Sequence, residues 1–138
     1  MTPIPYLFFD GACREAMTAY AEIFGGRVET MMTAAEMPPG EMPVPEDRKG
    51  WIMHAAVVFD AGMLMASDDL SGQSGPMAGC SVHMALPTAA EGAAVFGRLV
   101  EGGEVGMPYG ATFWTPGFGT LRDRFGVRWM ISTTEPVA

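Results

Sequence analysis

Apolar and polar positions follow a pattern that runs through this chain once and then starts again. "PIPYLFFDG" is an apolar run stopped by a turn, which predicts a strand over roughly residues 3 to 9. "ACREAMTAYAEIFGG" places Ala16, Met17, Tyr20, Ala21, Ile23 and Phe24 at helical spacing, and Gly25-Gly26 closes the helix. "RVETMMTA" reads as a second strand, and "WIMHAAVVFDAGMLMASDD" as a hairpin turning at Asp60-Ala61-Gly62. After the Gly- and Ser-rich connector "LSGQSGPMAG" the order resumes: "CSVHMALP" a strand, "TAAEGAAVFGRLVEGG" a helix, "EVGMPYG" a strand and its exit. A last hairpin lies in "TFWTPGFGTLRDRFGVRWMIST", closed by Asp123-Arg124-Phe125-Gly126, residues suited to a type I turn followed by a left-handed glycine.

The restart is an internal repeat. Gly25-Gly26-Arg27-Val28 matches Gly102-Gly103-Glu104-Val105, each ending a helix and beginning a strand. Both halves read strand, helix, strand, strand, strand. Such a βαβββ unit has an exposed sheet face that must find a partner. The reading is therefore α+β and one domain: a first module over roughly residues 3–70, a linker over about 71–78 and a second module over about 79–134. Between the second and third strands of the first module, "EMPPGEMPVPEDRKG" carries four prolines and reads as a loop. Its stretch 37–49 is long enough for a lid or a dimer contact.

Composition narrows the function classes. With 49% hydrophobic residues in 138, the chain can build a full core. No run approaches the roughly 18 apolar residues of a membrane span, and the N-terminus lacks a secretory pattern, so the expectation is a cytoplasmic protein without a membrane partner. Net charge is −8, and the basic residues are scattered, which argues against nucleic acid. Only Arg122, Arg124 and Arg128 stand close together. Cys13 and Cys80 lack the spacing of a zinc knuckle. Thirteen methionines suit either an accommodating cavity or a core that tolerates them. Phosphate-loop, dinucleotide, zinc-protease and serine-hydrolase signatures are all missing.

The βαβββ duplication, with "YLFFDGACREAMTAYAEIFGG", "HAAVVFDAGMLMASDD" and "FWTPGFGTLRDRFGVRWMIS", resembles the PhnB-like subfamily of the vicinal oxygen chelate superfamily. That superfamily includes glyoxalase I, the bleomycin-resistance proteins and the extradiol dioxygenases, and the subfamily was once labelled methyltransferase-like. The resemblance covers roughly residues 4 to 133 and implies curled mixed sheets around a central cup, and a homodimer. Its metal enzymes place His, Gln or Glu on the first and last strands of each module. Matched to that pattern, the positions here are Pro5, Met65 or Ala66, Ser81 and Met130, none a good ligand for a hard divalent ion. The expectation is no metal and no other cofactor.

The remaining candidates follow from residue type and period. His83 shares a face with Ser81 and Ala85 by strand alternation, which makes it the candidate acid/base; a buried, neutral, hydrogen-bonded histidine is the bland alternative. His54, Met65, Ser81 and Met130 are candidate ligand contacts on the strands, and Tyr109, Phe113 and Trp114 are candidates at the cup mouth. Cys13 opens the first helix, where unpaired N–H groups can lower a thiol pKa, with an inert cysteine as the favoured alternative. Asp68 and Asp69 suit a turn or cap as well as a ligand. The leading functional expectation is a protein that binds a small organic molecule in the cup. A glyoxalase-type metal enzyme and a non-catalytic drug-binding protein are the alternatives.

Overall fold

Strand alternation and helical spacing each find their partner within a module. The computed structural model describes all residues, Met1–Ala138, and divides into two units, Met1–Gly75 and Pro76–Ala138. In the first, β1 (Tyr6–Phe9), α1 (Cys13–Phe24), β2 (Arg27–Thr33), β3 (Ile52–Val58) and β4 (Met63–Asp68) follow one another. The sheet order is β1-β4-β3-β2. Strands β1 and β4 pair in parallel and the other pairs are antiparallel. The first strand starts at Tyr6, not near residue 3, because Pro3 and Pro5 have no N–H to give a ladder. The connection from β2 to β3, which includes the proline-rich loop, contains two 3-10 turns, Ala34–Glu36 and Glu46–Arg48.

The second unit repeats the plan. It runs β5 (Val82–Leu86), α2 (Ala89–Leu99), β6 (Glu104–Val105), β7 (Phe118–Arg122) and β8 (Arg128–Thr133), in sheet order β5-β8-β7-β6. Again the first and last strands pair in parallel. The α+β duplication of βαβββ is thus the architecture, with identical strand order in both copies.

Each helix covers one face of its own sheet. Ala16, Met17, Tyr20 and Ala21 of α1 are buried, as are Leu7, Phe9, Ala55, Val57 and Leu64 of the strands beneath. In the second unit Val95, Phe96 and Leu99 of α2 meet Val82, Leu121, Trp129 and Ile131. A fully buried side chain of this kind contributes about 1.5–3 kcal/mol. The burial alternates along β8: Trp129 and Ile131 face α2, and Arg128 and Met130 face away. The opposite sheet face is therefore the one left for chemistry.

A buried carboxylate organises the ends of each sheet. Asp68, closing β4, accepts hydrogen bonds from the backbone N–H groups of Gly11 (2.9 Å) and Cys13 (3.0 Å) with Oδ1, and from Ile52 (2.8 Å) with Oδ2. Asp123 accepts from Phe125 and Val127 N–H at 2.9 Å each, and from the Trp129 indole N–H at 2.8 Å. Its turn is the one read from the sequence: Gly126 N–H donates to the Asp123 carbonyl and holds φ +89°, where a side chain would be strained.

Candidate functional site

Strand register sorts the open face of the second sheet into rows. Met130, at the centre of β8, lies beside His83 of β5 and Thr120 of β7. One row along, Ser132 lies beside Ala85 and Phe118; the other way, Arg128 lies beside Arg122. Side chains directly opposite one another stand roughly 4.5–5.5 Å apart at Cβ, so each row is a contact surface. His83 Nε2 and Ser132 Oγ are hydrogen-bonded at 2.7 Å along the diagonal.

A cavity of about 530 Å³ opens over this face. His83, Met130 and Ser132 form its floor, Trp114 and Phe118 stand on one side, and the chain end Thr134–Val137 borders it. The chain end is fastened: Thr134 N–H donates to the Leu86 carbonyl at 2.9 Å, and Glu135 accepts from the Ala89 N–H at 2.7 Å, at the start of α2. Trp114 sits on a loop fixed by two threonines. Thr112 N–H donates to the Thr115 carbonyl at 2.8 Å, and the Thr112 hydroxyl accepts from Thr115 N–H at 3.2 Å. The loop presents Trp114 against Phe118, ring centroids 5.5 Å apart. A second cavity of about 340 Å³ adjoins the first at Met130 and extends over Ser81, Thr120, Arg122 and Arg128.

The sequence-derived candidates divide between these surroundings and others. His83, Trp114 and Met130 line the larger cavity, and Ser81 lines the smaller one with Met130. Phe113 is 91% exposed and packs edge-on against Trp114 without lining the cavity. Tyr109 does not stand at a cup mouth. Its hydroxyl donates to the Ala89 carbonyl at 2.9 Å and its ring packs on Phe96 of α2, so it belongs to the helix side of the sheet. Burial, with the Glu135 carboxylate nearby, raises its pKa above the ordinary tyrosine value. His54 and Met65 lie in the first unit. There His54 Nδ1 is hydrogen-bonded to the Tyr6 hydroxyl at 3.1 Å, and Met65 is central to its sheet, beside Tyr6 and Ala56.

For two further candidates the surroundings decide between the readings. Cys13 is no thiolate: it is fully buried, and desolvation first, then the Asp68 carboxylate, push its thiol up to about 12. The helix-terminal N–H that was to favour the thiolate is given to Asp68 instead. Asp69 is a turn residue, its carboxyl held below the usual range chiefly by the Ser71 hydroxyl. Ser132 and Phe118 are cavity residues that sequence reasoning passed over, although Ser132 shares a strand face with Met130 at period 2.

The register also sharpens the comparison of the two copies. Tyr6 pairs with Met65 as His83 pairs with Met130, so Tyr6 and His83 are equivalent, one residue after Pro5 and two after Ser81. Both central last-strand positions hold methionine, a poor ligand for a hard divalent ion. No group of three or more His, Cys, Asp and Glu side chains is arranged to hold a metal. The two last-strand positions thus supply no carboxylate, whereas the first-strand position beside Met130 holds His83.

The family model described as 3-demethylubiquinone-9 3-methyltransferase matches residues 2–132. The chain belongs to this family, the PhnB-like family. Among curated proteins it is similar to Protein YjdN of Escherichia coli (strain K12), 30% identical, with 95% of this chain and 94% of that protein covered. Among solved structures it is similar to protein PA1353 from Pseudomonas aeruginosa, at 41% identity and TM-score 0.85, with 96% and 97% of the two chains covered. A glyoxylase/bleomycin resistance protein/dioxygenase domain from Frankia shares the fold at 12% identity and TM-score 0.65, covering 98% of each chain. The PhnB-like chain therefore has the glyoxalase/bleomycin-resistance fold.

Proposed function

We propose that this PhnB-like protein binds a small organic molecule on the open face of its second module, with His83 as its polar anchor and without a divalent metal. One observation carries the reading: a cavity of about 530 Å³ whose floor joins an apolar thioether, Met130, to a hydrogen-bonded His83–Ser132 pair beside the Trp114 and Phe118 rings. Apolar walls with few convergent polar groups are the usual make-up of a small-molecule site. The 2.7 Å contact leaves two arrangements open to a ligand. With Nε2 accepting, the serine oxygen faces a ligand donor. With Nε2–H donating, the histidine is fixed and its Nδ1 is the acceptor. In both, His83 is the group placed to take or give a proton.

The family description names a methyltransferase. The chain has no glycine-rich nucleotide loop and no doubly wound parallel sheet, so methyl transfer from a nucleoside donor has no visible seat. The metal-free part of the proposal rests on methionine at both central last-strand positions, Met65 and Met130, which leaves His83 without a second strong ligand on its sheet. A homodimer belongs to the same proposal on the strength of the family likeness. The first measurement is metal content of the untagged protein, with melting shifts against Ni²⁺, Zn²⁺, Mn²⁺ and Fe²⁺, followed by a screen of small aromatic and aliphatic ligands. The expected result is no stoichiometric ion, and a ligand-induced melting shift that His83→Ala reduces. A bound ion whose stabilisation disappears in His83→Ala would sink the reading and point to a glyoxalase-type enzyme.

A further inference from the structure

Of eight basic residues in a chain of net charge −8, two face each other across one strand pair. Arg122 of β7 and Arg128 of β8 are register partners on the open face, both half-buried and both lining the 340 Å³ cavity. Like charges directly opposite one another destabilise a sheet. Arg124, the third arginine of the hairpin, instead stacks on Phe125 at the turn, 4.3 Å from its ring centre. Arg122 donates from Nη1 to the carbonyls of Met77 and Gly126, both at a long 3.4 Å. Those contacts do not use the Nε–H and Nη2 edge, the fork that grips a carboxylate or phosphate in two parallel hydrogen bonds. Ser81 adds a hydroxyl to the same cavity. Glu104, the register partner of Arg122 on β6, also lines it and offsets part of the positive charge.

We propose that Arg122 and Arg128 form an anion subsite, so that the molecule held on this face is an organic anion whose carboxylate or phosphoryl end lies between them while its apolar body crosses Met130 towards Trp114 and Phe118. The polarity follows the rows: arginines at one end, Met130 in the middle, and Ser132 with Phe118 at the other. Both cavities border Met130, so a molecule lying across that side chain would reach from one to the other. This extends the small-molecule reading by one chemical requirement and can fail separately from it.

Naphthalene-2-carboxylate and its neutral isostere naphthalene-2-carboxamide, titrated by calorimetry, separate the two readings. The amide reports the apolar trough, and the ratio of the two affinities reports the arginines. The carboxylate should bind about tenfold or more tightly than the amide, as a charge-assisted contact requires. The ratio should fall towards one in Arg122→Gln and in Arg128→Gln with the amide's affinity kept, rise in Glu104→Gln, and stay unchanged in Arg98→Gln on α2. Inorganic phosphate alone should move the Arg122 and Arg128 Nε–H signals in ¹⁵N NMR spectra. Equal affinities, a ratio that survives the double Arg122→Gln/Arg128→Gln variant, or guanidinium signals unmoved by phosphate would each overturn the subsite. Where neither naphthalene probe binds, the trough reading fails, and the phosphate titration decides the arginine pair by itself.

Discussion

Asp123 shows how much one side chain can fix. Its carboxylate meets two backbone N–H groups and an indole N–H, all in the hairpin that carries Met130 and Ser132 to the cavity. Asp123→Ala would leave those donors without their acceptor, two of them on the buried residues Val127 and Trp129, a cost of about 3 kcal/mol or more. Urea denaturation should show the midpoint falling accordingly, and a loss under about 1 kcal/mol would mean water or a neighbour replaces the carboxylate. Cys13 gives a second test at this scale. In the unfolded chain its thiol ionises near the model-peptide value of 9.0, whereas in the folded chain it stays protonated up to about 12. Between those values the unfolded state has released a proton that the folded state keeps, so stability falls as pH rises. The raised pKa of Tyr109 acts with the same sign at higher pH. The fall that sets in near pH 9 and continues towards about 12 should flatten in Cys13→Ala. The exposed Cys80 should react at once with a thiol reagent, and Cys13 only on unfolding.

At the scale of elements, the strands and helices were legible because two periods, close to 2 and 3.6, run through the chain undisturbed. What escaped was the placement of loop residues. Tyr109 sits in a Gly/Pro-interrupted stretch, and no period says which way such a residue points. The structure answers through α2: a Cβ at Gly92 or at Gly117 would overlap the Tyr109 hydroxyl. Helix propensity alone makes a mid-helix Gly→Ala change favourable by about 1 kcal/mol. Overpacking costs about 1–3 kcal/mol and should win here. Gly92→Ala is therefore expected to lower the melting temperature, and Tyr109→Phe in the same chain to recover most of the loss. A Gly92→Ala variant more stable than the parent would show that Tyr109 swings away freely.

The charge of the whole molecule sets its company. A net charge of −8, with only one facing pair of arginines, predicts no appreciable affinity for nucleic acid. It should pass through a heparin column at low salt, and retention there would overturn that expectation. At this scale the sequence itself determined the duplicated βαβββ order and the α+β class, because local periodicity and the need to bury one face of each element leave little choice. Strand alternation likewise placed His83 with Ser81, and the type I turn with its glycine was written in four residues. Tertiary structure alone decided which residues meet. Register across β5, β8 and β7 brings His83 to Ser132 and Arg122 to Arg128 from positions distant or merely adjacent in the chain. Burial turned Cys13 from a candidate thiolate into a protonated core residue, and packing on α2 took Tyr109 to the helix side. The reason is common to all of them: contact, charge state and exposure depend on neighbours that only the folded chain supplies, and the sequence gives each residue its own chemistry but not its company.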